Sequence, residues 1–161
     1  MAVPMVAQWP DESVPVWNKY IIADEINGMH ETEKGTMMYN GKVLVVEDNP
    51  SNQKLMAIFL QRMGLEVVPA GDGIEAVECC GEQSFDIILM DMQMPNLNGY
   101  DATRQLRSQG VKTPIIAVTA NAMSGDEQKC MDVGCNGYLS KPIDRSKLNE
   151  LIAQYLGVQI G

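Results

Sequence analysis

From residue 42 onward the chain alternates between two patterns. Short β-branched apolar runs give way to longer stretches in which apolar residues recur at helical spacing. Residues 43–46 read as a first strand. Residues 50–63 read as a helix, with Pro50 in the first turn, where a proline is tolerated, and Gly64 as the stop. Its buried face is expected to carry Leu55, Ile58, Phe59 and Met63. The pattern then predicts strands over 65–68, 85–90, 114–118 and 137–140, and helices over 72–80, 98–108 and 124–133. In the closing helix, Leu148, Leu151, Ile152, Tyr155 and Leu156 form one stripe, and Gly157 follows as its stop.

Five β/α repeats predict an α/β fold, a parallel sheet covered by helices on both faces. The first, third and fourth strands are apolar throughout, as central strands should be. The second carries Glu66 and runs into Pro69, and the fifth is brief and polar, so both suit edges. A strand order of 2-1-3-4-5 follows. In such doubly wound sheets the ligand crevice lies beyond the carboxyl ends of the strands, at the switch point between strands one and three.

The residues at those strand exits carry the chemistry. Asp91 closes the run Phe85-Asp86-Ile87-Ile88-Leu89-Met90 and is expected to sit on a rigid floor while facing solvent. Strand one runs straight into Glu47-Asp48. Unit charges ~4 Å apart at an effective dielectric of about 20 repel by roughly 4 kcal/mol, so three clustered carboxylates need a cation. A hard divalent ion such as Mg²⁺ fits oxygen ligands of this kind. No His or Cys lies near enough in sequence to suggest zinc. Strand four exits into Thr119, a hydroxyl, and strand five into Lys141, a point cation, followed by Pro142. Carboxylates, metal, hydroxyl and ammonium around one crevice make a phosphoryl site, with Asp91 as the candidate nucleophile. Singly, each residue has an ordinary structural reading as a helix cap or a solvated charge. Their joint placement at separate strand ends is what points to a site.

A net charge of −9 argues against nucleic acid held by bulk electrostatics. The cysteines Cys79, Cys80, Cys130 and Cys135 lack zinc or redox spacing and read as reduced thiols of a cytoplasmic protein. No apolar stretch approaches the roughly 20 residues of a membrane span, and no signal peptide is visible. Residues 1–41 hold Pro4, Pro10, Pro15 and both tryptophans, Trp9 and Trp17, and read as an N-terminal extension or interdomain linker. A short helix over 17–26 is its one candidate element. The domain proper is expected over 42–161.

Four segments carry a resemblance: Val43-Leu44-Val45-Val46-Glu47-Asp48-Asn49, Asp91-Met92-Gln93-Met94-Pro95 through Gly99, Ala117-Val118-Thr119-Ala120, and Tyr138-Leu139-Ser140-Lys141-Pro142. Together they resemble the signatures of response-regulator receiver domains. The likeness implies a flavodoxin-like fold and Mg²⁺-dependent phosphorylation of Asp91 by a phosphohistidine, borne by a histidine kinase or a histidine phosphotransfer domain. It implies that Glu47, Asp48 and Asp91 hold the metal with the Gln93 backbone carbonyl, and that Thr119 and Lys141 contact the phosphoryl group. It further implies that Tyr138 is an aromatic switch moving with Thr119, and that the Lys141-Pro142 bond is cis. Met90-Asp91-Met92-Gln93-Met94-Pro95 and Ala120-Asn121-Ala122-Met123 are closest in wording to receivers of hybrid sensor histidine kinases. Residues 1–41 would then tether a kinase core of the same chain.

By this reading the chain's only catalysis acts on itself: acceptance and slow hydrolysis of one phosphoryl group, with Gln93 and Asn121 tuning the lifetime. The face of helix four, strand five and helix five would present the signal to a downstream protein or to the kinase core. An aspartyl-phosphate hydrolase would need an acid/base Asp where Gln93 stands. A stand-alone regulator and a non-phosphorylated, protein-binding pseudo-receiver are the remaining alternatives. His30 lacks the sequence context of a kinase phosphoacceptor.

Overall fold

Helix starts along this chain are written into its side chains. In the computed structural model, which describes residues 39–120 and 125–156, Asn49 accepts from the backbone N–H groups of Ser51 and Asn52, with Pro50 at the first helical turn. Asp72 accepts from Glu75 N–H, and Asn98 from Asp101 N–H. Each such cap satisfies a donor that the helix cannot use itself, and replacing one by alanine typically costs about 1 kcal/mol. These three caps fix where their helices begin, whereas the helix that starts at Asp126 follows Gly125 and has no side-chain cap.

In chain order the elements are β1 (Lys42–Val46), α1 (Pro50–Arg62), β2 (Glu66–Ala70), α2 (Gly73–Glu82), β3 (Ile87–Asp91), α3 (Gly99–Ser108), β4 (Ile115–Thr119), α4 (Asp126–Asp132), β5 (Gly137–Ser140) and α5 (Arg145–Leu156). All strand pairs are parallel and the order is β2-β1-β3-β4-β5, as the strand composition predicts. Every residue of β3 and β4 is buried, while the edge strand β5 alternates between buried and half-buried positions.

Strand periodicity splits the core into two layers. Val43, Val45, Ile87, Leu89, Ile116 and Val118 face α1 and α5, meeting Met56, Leu60, Leu148 and Ile152. Leu44, Val46, Ile88, Met90, Ile115 and Ala117 face α2, α3 and α4, meeting Ala76, Ala102, Leu106 and Cys130. The predicted stripe of α5 packs on the first layer, with Leu148 and Ile152 fully buried. Tyr39 joins this layer too: its N–H donates to Met63 O at 2.7 Å and its hydroxyl to Asn149 Oδ1 at 3.0 Å.

Three expectations are corrected. The buried residues of α1 are Gln53, Met56, Ala57, Leu60 and Gln61, whereas Leu55 is 48% exposed and Ile58 and Phe59 are half-buried. Gln53 explains the displacement. Its amide donates to Glu47 O and Ala70 O, both at 3.1 Å, so a polar residue fills an inward position that hydrophobicity assigns outward. Strand β2 continues through Pro69 to Ala70, which an edge permits because proline's missing N–H has no ladder partner to lose there. Asp91 does not face solvent: it is the last residue of β3 and only 3% exposed. The expected start of helix four at Ser124, the stop at Gly157, and everything anticipated for residues 1–38 and for Asn121 lie outside the described residues.

Candidate functional site

The carboxyl ends of β1, β3, β4 and β5 converge on one cleft. Glu47 follows β1 directly and is 5% exposed, whereas Asp48 beside it is on the exposed rim. Glu47 Oε2 accepts from Asn49 N–H at 3.1 Å, which couples this carboxylate to the cap of α1. Asp91 lies on the floor. Its Oδ1 accepts from Gln93 N–H at 3.0 Å. Ligand oxygens of Glu47, Asp48 and Asp91 all lie within 4.8 Å of one another.

Lys141 enters from the end of β5, through a cis bond to Pro142. Its backbone N–H donates to Thr119 O at 2.7 Å. Its Nζ donates to Glu47 Oε1 at 2.8 Å and to Asp91 Oδ2 at 3.2 Å. Thr119 is the last residue of β4, fully buried. Gln93 is exposed beyond Asp91. Tyr138, on β5, donates to Asp126 Oδ2 at 3.1 Å rather than to any of the three cleft carboxylates.

The loop after Asp91 is pinned. Met92 is buried and its N–H donates to Val118 O at 2.9 Å. Gly99 sits so close to the end of β3 that a Cβ there would collide with the Asp91 carbonyl oxygen and with Met92. Asn96 adopts φ +68° and donates to Asp72 Oδ2 at 3.0 Å. Asp72 thus caps α2 and braces the turn at once. The sequence reading missed Gln53 and the Asp72–Asn96 brace. The Pro95-Asn96 dipeptide was a legible turn signal, but its partner is distant in sequence.

Three carboxylates face one ammonium, leaving the cleft short of positive charge. Burial, then the hydrogen bond and charge of Asp91, push Glu47 up to about 7, although Lys141 and Asn49 N–H pull it back. Burial alone would lower Lys141, but Glu47 and Asp91 outweigh it and hold the ammonium above its ordinary value. Such a donor set suits a hard divalent cation, which would favour the ionised form of Glu47 that burial, and to a lesser degree Asp91, disfavours.

Fold and cleft define a doubly wound α/β domain with an acidic site at its topological switch point. Residues 43–153 match the response regulator receiver domain family, and the chain belongs to that family. Among curated relatives, it is 37% identical over 113 residues to sensor histidine kinase RcsC of Salmonella typhi, covering 70% of this chain but 12% of that protein. It is 40% identical over 117 residues to the polar-differentiation response regulator DivK of Brucella anthropi, covering 71% of this chain and 95% of DivK. The receiver domain of sensor histidine kinase PA1611 from Pseudomonas aeruginosa, solved with magnesium coordinated in its active-site cleft, superposes with TM-score 0.68 at 42% identity, covering 73% of this chain and 98% of that one. The Saccharomyces cerevisiae receiver of Ssk1, solved with the histidine phosphotransfer protein Ypd1, gives TM-score 0.70 at 32% identity, covering 74% and 91%. Among the described residues no helix is long and apolar enough to cross a membrane.

Proposed function

We propose that this domain is a phosphoacceptor in a two-component phosphorelay, taking a phosphoryl group from a phosphohistidine onto Asp91. The observation that carries this reading is the Lys141 ammonium bridging Glu47 and Asp91 on the floor of a three-carboxylate cleft. Mg²⁺ would be held by Glu47, Asp48, Asp91 and the Gln93 backbone carbonyl. When bound it supplies charge neutralisation for the phosphoryl oxygens.

The chain's own groups do the rest. A carboxylate oxygen of Asp91 attacks phosphorus, the P–N bond to the donor breaks, and its electron pair returns to the imidazole. Lys141 moves from carboxylate to phosphoryl oxygen, and the Thr119 hydroxyl donates to another. Tyr138 follows Thr119 inward, which changes the face of α4, β5 and α5.

A protein donor must approach from the rim. Beside Glu47 and Lys141 lies a cavity of about 100 Å³ lined by Leu55, Met56, Phe59 and Ile143. Its apolar walls and exposed Leu55 suit a helix carrying the phosphohistidine. The match to sensor kinases supports a place in a hybrid kinase; the same proposal takes 1–41 as tether, 42–161 as the receiver and the cytoplasm as its location. The near-complete coverage of DivK favours the second reading, a stand-alone regulator.

Incubation with Mg²⁺ and a small acyl-phosphate donor tests the proposal. The expected result is one base-labile phosphoryl group per chain, absent in Asp91→Asn. Continuous turnover of a phosphomonoester would overturn it, and failure to load from both a small donor and a cognate kinase would favour a protein-binding module.

A further inference from the structure

One carboxylate outside the cleft ties three elements together. Asp126, the first residue of α4, accepts from two phenols. Tyr100 of α3 donates to its Oδ1 at 2.9 Å, and Tyr138 of β5 donates to its Oδ2 at 3.1 Å. The Tyr100 ring in turn carries the Lys129 ammonium, 4.5 Å from its centroid. Two of the tied elements adjoin a residue of the site: α3 begins at Gly99, packed on Asp91, and β5 leads into Lys141.

Both phenols are firm donors. Burial first, and the Asp126 hydrogen bond next, raise Tyr138 to about 12 and hold Tyr100 well above its ordinary value. Asp126 has one oxygen for each. Inward movement of Tyr138 must break one charge-assisted bond while Tyr100 keeps α4 anchored by the other.

We infer that Asp126 is a positioning residue that clamps Tyr138 to the start of α4 and so sets the resting position of the switch. The inference rests on the reading of Tyr138 as that switch. Hydrogen bonds to charged acceptors are strong enough that losing one shifts a two-state ratio by roughly tenfold or more. Tyr100 holds Asp126 in place from the opposite side, so the clamp also registers the position of α3, the helix that begins where the phosphoacceptor loop ends.

The test uses the full chain labelled with 3-fluorotyrosine, with the Tyr138 resonance assigned through Tyr138→Phe and followed by fluorine NMR. In the unsubstituted protein, beryllofluoride with Mg²⁺ should move that resonance. In Asp126→Ala without beryllofluoride it should already lie more than halfway to the shifted position, and loading from a small acyl-phosphate donor should be several-fold faster. Asp126→Asn retains the shape and a neutral acceptor, so it should lie between the two; it decides the matter if the alanine variant does not fold. Tyr100→Phe loosens Asp126 but leaves the Tyr138 bond itself, so it should move the resonance less than Asp126→Asn does. An unsubstituted protein that responds to beryllofluoride, with Asp126 variants that rest and respond as it does, would overturn the clamp alone. No response in the unsubstituted protein would overturn the clamp together with the switch reading.

Discussion

Two cations sit at opposite ends of the sheet, and the difference between them separates structure from function in this molecule. Arg107, below the sheet, uses all five of its N–H donors. They reach Gly134 O, Val111 O, Thr113 O and Asn136 Oδ1 at 2.7–3.0 Å. Every acceptor is neutral and every donor is occupied, so the guanidinium is a rivet between α3 and the loops leading into β4 and β5. Gly134, at φ +115°, has no room for a Cβ beside the Arg107 stem. Lys141, above the sheet, meets two of three clustered carboxylates. Its region is under-neutralised, and its ammonium can transfer from one oxygen to another. A saturated neutral cage resists change, whereas an acidic excess around a single ammonium favours a second cation.

Breaking each cation should therefore fail differently. Lys141→Ala should slow loading from a small acyl-phosphate donor by about a hundredfold, the scale for losing one donor to a transition-state oxygen. Rapid-quench measurement of adduct formation checks this, and Mg²⁺ binding should persist. Arg107→Ala should leave loading intact but lower unfolding free energy by about 2–4 kcal/mol, because several carbonyls lose their partner; urea unfolding reads it. Equal loss of stability and of loading in both variants would erase the contrast.

The acidic excess should also appear as a pH dependence. Glu47 has an ordinary value of 4.5 and a folded value of about 7. Below 4.5 both states hold the proton and the group contributes nothing. As pH rises from there to about 7 the unfolded chain releases it first, so stability falls. The full loss is on the order of 3 kcal/mol, from the shift converted at ~1.4 kcal/mol per unit. Metal-free denaturation across this range should show the decline, Glu47→Gln should flatten it, and saturating Mg²⁺ should suppress it. The smallest effect belongs to Leu55→Ala. Its stability should change by less than about 0.5 kcal/mol, as at most exposed sites, while transfer from a protein phosphohistidine donor slows several-fold and small-donor loading stays constant.

The acidic side of this contrast is legible in the sequence. β-branched runs located five strands, their polarity ordered them, and residue types at strand exits assembled the cleft. What escaped reading was long-range polar pairing. Gln53 looks like a solvent-facing residue until two carbonyls, one of them across the β1–β2 edge, are seen to need its amide. With Met56, Ala57 and Leu60 it lies on the inward face of α1, which leaves Leu55 outside. Asp91 was expected at the surface because strand ends usually reach it, but it is 3% exposed and accepts from Lys141 and from Gln93 N–H. Arg107 and Asp126 carried no local signal, since their partners come from other elements.

Borohydride trapping tests the central claim most directly, because it reduces an acyl phosphate to an alcohol and marks the carbon that bore it. After loading with Mg²⁺ and a small acyl-phosphate donor, peptide mass mapping should find the aspartate at position 91 converted to homoserine and no other carboxylate reduced. Reduction at Asp48 or Glu47 instead, or a loaded chain with Asp91 unreduced, would contradict the account.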